Sequence, residues 1–182
     1  MRRTIGSVIL VALAAGCASK KEKAAPPAVA DAAFTTATIG AAAPAFTVAT
    51  IGGDSARIGG SARQPVTLVN VWATWCGPCK AEFPELQALH TTFAPKGLRV
   101  VAISIDTEAD SVVSASAKSM GATFAIGRDP DDQVRGRFAA VGIPESWLIA
   151  ADGKLLWRHS GAIAPGDEGV RSAIISALAG AQ

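Results

Sequence analysis

A chain of 182 residues with 17 Lys plus Arg against 15 Asp plus Glu, 49% hydrophobic and 5% aromatic, has room for one domain with one core and a short extension. Arg2 and Arg3 open an apolar leader, and without them 15 cations face 15 anions, so the formal charge of +2 does not describe the folded part. Apart from Lys20, Lys21 and Lys23 no basic cluster exists, which argues against nucleic acid as a partner.

The apolar stretch of residues 5–15 is too short to span a bilayer as a permanent helix and reads as a secretory signal. It runs into Leu13-Ala14-Ala15-Gly16-Cys17, which resembles a bacterial lipobox, except that Leu13 lies one place further from the cysteine than is usual and Ala14 takes its position. That resemblance implies a lipoprotein signal peptide at 1–17, lipidation of Cys17 and an anchor in a bacterial membrane facing the periplasm. A plain cleaved signal or an uncleaved anchor are the alternatives. With Cys17 occupied, only Cys76 and Cys79 of the three cysteines are left, either to pair with each other or to stay reduced. Residues 18–38 hold few large apolar side chains and are expected to form a flexible tether, with the domain at 39–182.

Within the domain, strands at 46–49 and 56–58 flank Gly52-Gly53-Asp54 as a hairpin. The apolar run Val66-Thr67-Leu68-Val69-Asn70-Val71-Trp72 predicts a buried strand, and Phe83, Leu86, Leu89 and Phe93 mark the stripe of a following helix. Between them stands Trp75-Cys76-Gly77-Pro78-Cys79. A helix N-terminus there offers unpaired N–H groups and the positive end of the peptide dipole, which favour a thiolate at Cys76. Pro78 suits the first turn, and Gly77 removes bulk beside the sulfur. Pro84 is expected to kink the helix.

A Val- and Ile-rich strand at 98–105, a helix at 110–120, a strand near 123–126 and a helix at 131–140 follow, the last introduced by Asp129-Pro130. Two strands, 146–150 and 154–158, are split by the hairpin signal Asp152-Gly153, and a final helix at 167–179 has Val170, Ile174, Ile175 and Leu178 as its stripe. Strand-helix-strand order around the motif implies parallel pairing with right-handed crossovers. Trp72, Trp147 and Trp157 read as core or half-buried residues, and Arg128 with the acids around Asp131 as a solvated helix start. His90 and His159 lack metal-ligand spacing to the cysteines, so no metal is expected.

The run Trp72-Ala73-Thr74-Trp75-Cys76-Gly77-Pro78-Cys79-Lys80-Ala81-Glu82-Phe83-Pro84, with Gly142-Ile143-Pro144 downstream, resembles the thioredoxin superfamily. It is most similar to membrane-anchored, extracytoplasmic thiol-disulfide oxidoreductases of the TlpA and ResA type. The resemblance implies an α/β, thioredoxin-like three-layer fold: a mixed central sheet flanked by helices, with an added N-terminal β-hairpin and an inserted helix and strand. It implies that Cys76 attacks a partner disulfide and Cys79 resolves the mixed disulfide, with no cofactor beyond this redox pair. Cys79, one turn inward, needs a base. Ordinary thioredoxins place an aspartate six residues before the first cysteine; Asn70 stands there and does not titrate. Glu82, three residues after Cys79 on the same helical face, is the candidate.

The same resemblance implies a cis peptide bond between Ile143 and Pro144, with the Ile143 backbone free to pair with an extended substrate, and Trp75 beside the groove. Glu145 occupies a position where relatives commonly have Thr and is expected to add negative charge near that groove. The implied partners are a disulfide-containing extracytoplasmic protein and an integral membrane thiol carrier that donates electrons, as in cytochrome c maturation. A thiol peroxidase is a second reading, weakened because Ala73 stands where such enzymes want Thr or Ser. A Cu(I)-binding metallochaperone is a third, weakened by a gap of two residues between the cysteines instead of three.

Overall fold

The computed structural model describes residues 37–60 and 64–181. The signal peptide, Cys17 and nearly all of the expected tether lie outside the described residues.

The elements run β1 (Phe46–Thr50), β2 (Ser55–Ile58), β3 (Val66–Trp72), α1 (Gly77–Phe93), β4 (Leu98–Ser104), α2 (Asp110–Ser119), β5 (Ala125–Arg128), α3 (Gln133–Phe138), β6 (Glu145–Ile149), β7 (Leu155–Ser160) and α4 (Glu168–Ala179). They build a seven-stranded sheet in the order β2-β1-β5-β4-β3-β6-β7. The three inner strands β3, β4 and β5 are parallel, while β1, β6 and β7 add antiparallel to their neighbours. The N-terminal hairpin therefore extends the main sheet through β1 and β5.

All seven residues of β3 are buried, because this strand is paired on both edges and covered on both faces. Its even-numbered side chains meet α1, as the edge-on contact of Trp72 with Phe83 shows, with ring centroids 4.6 Å apart. Phe83, Leu86, Leu89 and Phe93 are all buried, as the helical stripe predicts. On the opposite face Phe138 of α3 packs on Trp147, centroids 4.8 Å apart.

α1 runs unbroken past the exposed Pro84, inside the helix as the sequence places it. The bounds of β5 and α3 and the core stripe of α4 differ from expectation. β5 lies two residues later than read, and α3 is confined to Gln133–Phe138. The buried Asp129 carboxylate accepts the Val134 N–H at 2.7 Å, so the acid of the Asp129-Pro130 signal caps a helix starting four residues on. On α4 it is Ala177, with Val170, Ile174 and Leu178, that faces the core, while Ile175 is 57% exposed. Asp167 caps this helix by accepting the Val170 N–H at 3.0 Å.

Candidate active site

The chain leaves β3 at Trp72 and enters α1 at Gly77, so the cysteines lie at the carboxyl edge of the parallel strands. Cys76 and Cys79 form a disulfide with Cα atoms 5.3 Å apart. Cys76 is itself the N-cap of α1, its sulfur accepting the Cys79 N–H at 3.2 Å. A negative charge arriving on this sulfur meets an already oriented donor and the positive helix end. Cys79 is fully buried, and Cys76 shows 6% of its surface. The surface beside it belongs to Trp75, which is 69% exposed, with Gly77 and Pro78.

The loop carrying Trp75 is anchored by a residue that sequence reading missed. Asp106, just past the end of β4 and buried, accepts the Thr74 N–H at 2.9 Å and the Thr74 hydroxyl at 2.6 Å. Ser104 supplies a further hydroxyl at 2.7 Å. Arg128, expected to be solvated, instead donates to the Ser104 hydroxyl at 2.9 Å and the Asp106 carbonyl at 3.1 Å, and pairs with Asp110 at 2.8 Å. An acid at the end of an apolar strand, on the edge of the sheet where the motif emerges, was the available signal.

Glu82 is 1% exposed. Its Oε1 accepts from Asn70 Nδ2 at 2.7 Å and its Oε2 from the Ile163 N–H at 3.0 Å. Burial raises its pKa from 4.5 to about 7, against the opposing pull of the Ile163 and Asn70 donors. A carboxyl so poised both takes and returns a proton near neutrality. Asn70, paired across β3 and β6 with Ser146, also donates to the Ser146 hydroxyl at 3.0 Å. The residue in the usual aspartate position therefore acts by holding the glutamate. Asn70→Asp would set two carboxylates within hydrogen-bonding distance, and like charges in a buried site resist joint ionisation. The expected result is a higher pH midpoint for exchange, measured as the pH dependence of the single-turnover rate; an unmoved midpoint would count against the contact.

The peptide bond between Ile143 and Pro144 is cis, as the motif implies. The register Val71↔Glu145 brings Pro144 to the end of β3, level with the start of the motif loop. No hydrogen bond to the backbone occupies the Ile143 N–H or carbonyl among the described residues. Glu145 departs from its expectation. It is buried and ion-paired to Arg158, which also donates to the Ala139 carbonyl at 2.9 Å. Its charge is met inside the fold because β6 alternation turns this side chain toward the α3 face.

A buried CxxC disulfide at the head of a helix, beside a cis-proline at the end of a mixed sheet, defines the thioredoxin-like class of fold. The profile of the AhpC/TSA family matches residues 39–158, and the chain belongs to that family. It is 33% identical over 88 residues to the thiol-disulfide oxidoreductase ResA of Oceanobacillus iheyensis, covering 48% of this chain and 45% of that one. With the thiol:disulfide interchange protein CycY of Rhizobium leguminosarum bv. viciae it shares 38% over 97 residues, covering 53% and 50%. The chain thus spans about half the length of the curated relatives it matches. Among solved structures, a Chlorobium tepidum protein provisionally assigned as thiol:disulfide interchange protein DsbE superposes with a TM-score of 0.71 at 28% identity, covering 79% of this chain and 99% of that one.

Proposed function

We propose that this protein is an extracytoplasmic thiol-disulfide oxidoreductase that reduces disulfides in partner proteins. The carrying observation is the Cys76–Cys79 disulfide at the head of α1 with the buried Glu82 carboxyl three residues beyond the inner cysteine, where burial pushes its pKa up to about 7. In the reduced protein the Cys76 thiolate attacks one partner sulfur, forming the mixed disulfide and expelling the other as thiolate. Glu82 then accepts the Cys79 proton, and the Cys79 thiolate attacks Cys76, closing the intramolecular disulfide and releasing the partner's second sulfur. Two electrons pass to the partner, and the two cysteines are the only redox groups the cycle uses. An integral membrane thiol carrier returns the electrons, with lipidated Cys17 keeping the domain at the membrane. Work in cytochrome c maturation fits this chemistry.

Trp75, the cis-Pro144 turn and the unpaired Ile143 backbone form the docking surface, where an extended substrate segment adds main-chain hydrogen bonds. Against the peroxidase reading stands the motif loop itself. Ala73 is buried and apolar three residues before Cys76, and the neighbouring Thr74 hydroxyl is committed to Asp106.

Cys79→Ser is the direct test, since it removes the resolving thiol and should accumulate mixed disulfides through Cys76, identified by mass spectrometry from the periplasmic fraction. Absence of trapped partners, together with tight Cu(I) binding by the parent protein, would favour the metallochaperone reading instead.

A further inference from the structure

Glu82 is one of two buried acids on α1 that reach across to the same connection. Three N–H groups of the segment 161–166 between β7 and α4 reach other elements: the Gly161 N–H donates to the Pro144 carbonyl at 2.9 Å, the Ile163 N–H to Glu82 at 3.0 Å, and the Gly166 N–H to Glu85 at 3.0 Å. The Ala162 carbonyl lies 3.4 Å from His159 Nε2, and the Ala164 carbonyl accepts the Asp167 N–H at 3.1 Å. Glu85 lies one turn beyond Glu82 and is also buried. Its other oxygen accepts from Arg171 of α4 at 2.5 Å. A carboxylate buried midway along a helix, paired to an arginine on another element and closed on a backbone amide, ties α1, the connection and α4 together. Nothing in the exchange chemistry uses Glu85 or Arg171 directly.

We propose that Glu85 and Arg171 are positioning residues for Glu82: together they clamp segment 161–166 onto α1 and so hold the Ile163 N–H against the Glu82 carboxylate. The inference rests on the reading of Glu82 as the base for Cys79. Its physical content is that the acid strength of Glu82 is set partly by a donor it does not carry, and the position of that donor is set by a second acid. Without the clamp the Ile163 N–H is free to drift, and the ionised form of Glu82 loses one of its two hydrogen bonds.

The sign of the effect separates this role from a plain charge effect. The titratable or charged groups on the elements around Glu82 are Cys76, Cys79, Lys80, Glu85 and His90 on or capping α1, and Glu168 and Arg171 on α4. β7 adds Arg158 and His159, the latter opposite Ser146 in the strand register, and β6 adds Glu145, which is paired to Arg158. β3 and β6 present Asn70 and Ser146, which do not titrate. Removing the negative charge of Glu85 would by Coulomb's law alone make Glu82 easier to ionise and lower the pH midpoint of resolution. Losing the clamp raises it.

Glu85→Leu, which deletes both acceptor oxygens at similar size, is therefore expected to move the midpoint of the resolution rate up by about one pH unit, an approximately tenfold slower step below the midpoint. Glu85→Gln keeps a carbonyl for the Gly166 N–H, so its midpoint should lie at or below that of the parent. Because losing this cation raises the midpoint by charge alone, Arg171 is tested by amide exchange instead: Arg171→Met should speed exchange at Ile163 and Gly166, and Arg171→Lys should restore it. Amide hydrogen exchange at Ile163 and Gly166, followed by NMR on each folded variant, gives a readout independent of catalysis, with faster exchange expected in Glu85→Leu. A midpoint that falls or stays in Glu85→Leu, or unchanged exchange at Ile163, overturns the clamp. Failure of the underlying reading looks different: Glu82→Gln would then retain the parental pH midpoint while exchange at Ile163 still responded to Glu85.

Discussion

Glu82→Gln is expected to give a protein that is more stable than the parent above pH 7 and slower at resolving a mixed disulfide. In the unfolded chain this carboxyl ionises near 4.5, whereas in the native site it holds its proton to about 7. Between those values the folded state binds more protons than the unfolded one, so the contribution of this group to stability falls as pH rises through the window. The drop amounts to about 1.4 kcal/mol per pH unit, or about 3 kcal/mol in all. Glutamine carries no such liability. It offers one acceptor where two donors converge, which costs a hydrogen bond at low pH. The buried Asn70 Oδ1, which has no hydrogen-bond partner, is placed to receive the new N–H if the amide rotates. The stabilities of parent and variant should therefore cross, and urea unfolding at pH 5 and 8.5 measures this directly. Parallel stability profiles would refute the burial account, and an unchanged resolution rate across pH 5 to 9 would refute the role of Glu82 as base.

The second large effect concerns Arg158. Arg158→Ala leaves the Glu145 carboxylate in a site 1% exposed with no cation, and its Oε2 already lacks a hydrogen-bond partner. Removing one member of a buried ion pair costs about 3–5 kcal/mol, because the remaining charge keeps its desolvation penalty. The Ala139 carbonyl also loses a donor just ahead of the docking turn. Chemical denaturation at pH 7 should show most of this loss, and adding Glu145→Gln should recover a large part of it. If Arg158→Ala unfolds like the parent, the pair is not closed off from water.

The sheet centre and the motif helix could be read because both carry their burial in consecutive or periodic residues. β3 is apolar almost throughout, and the α1 stripe repeats at three and four residues. The placement of Cys76, Cys79 and Glu82 was legible for the same reason, since they stand three residues apart at the start of one helix. What escaped is what depends on distant partners. The burial that raises the Glu82 pKa, and the donors that oppose it from 12 and 81 residues away, depend on distant segments, and the Asp106 anchor joins residues 32 apart. Glu145 looked like a surface charge because its arginine is 13 residues on, across the last hairpin. Ile175 was placed inside because apolar identity alone does not choose between neighbouring faces of a short helix, whereas the small Ala177 fits against the sheet. β5 and α3 slipped because Arg128 and Asp129 fix their ends through side-chain contacts, which no local pattern announces.

The anchoring of Thr74 to Asp106 has a consequence for residue 75. That residue is bracketed by two fixed points, the Asp106 carboxylate on one side and the helix cap formed by the Cys76 sulfur on the other. Its side chain projects from a backbone that neither the solvent nor a docked partner needs to organise. Under the proposed function, recognition and chemistry fall to adjacent residues on separate supports. Exchanging the indole for another side chain is expected to change which partners dock while the contact of the Cys79 N–H with the Cys76 sulfur stays in place.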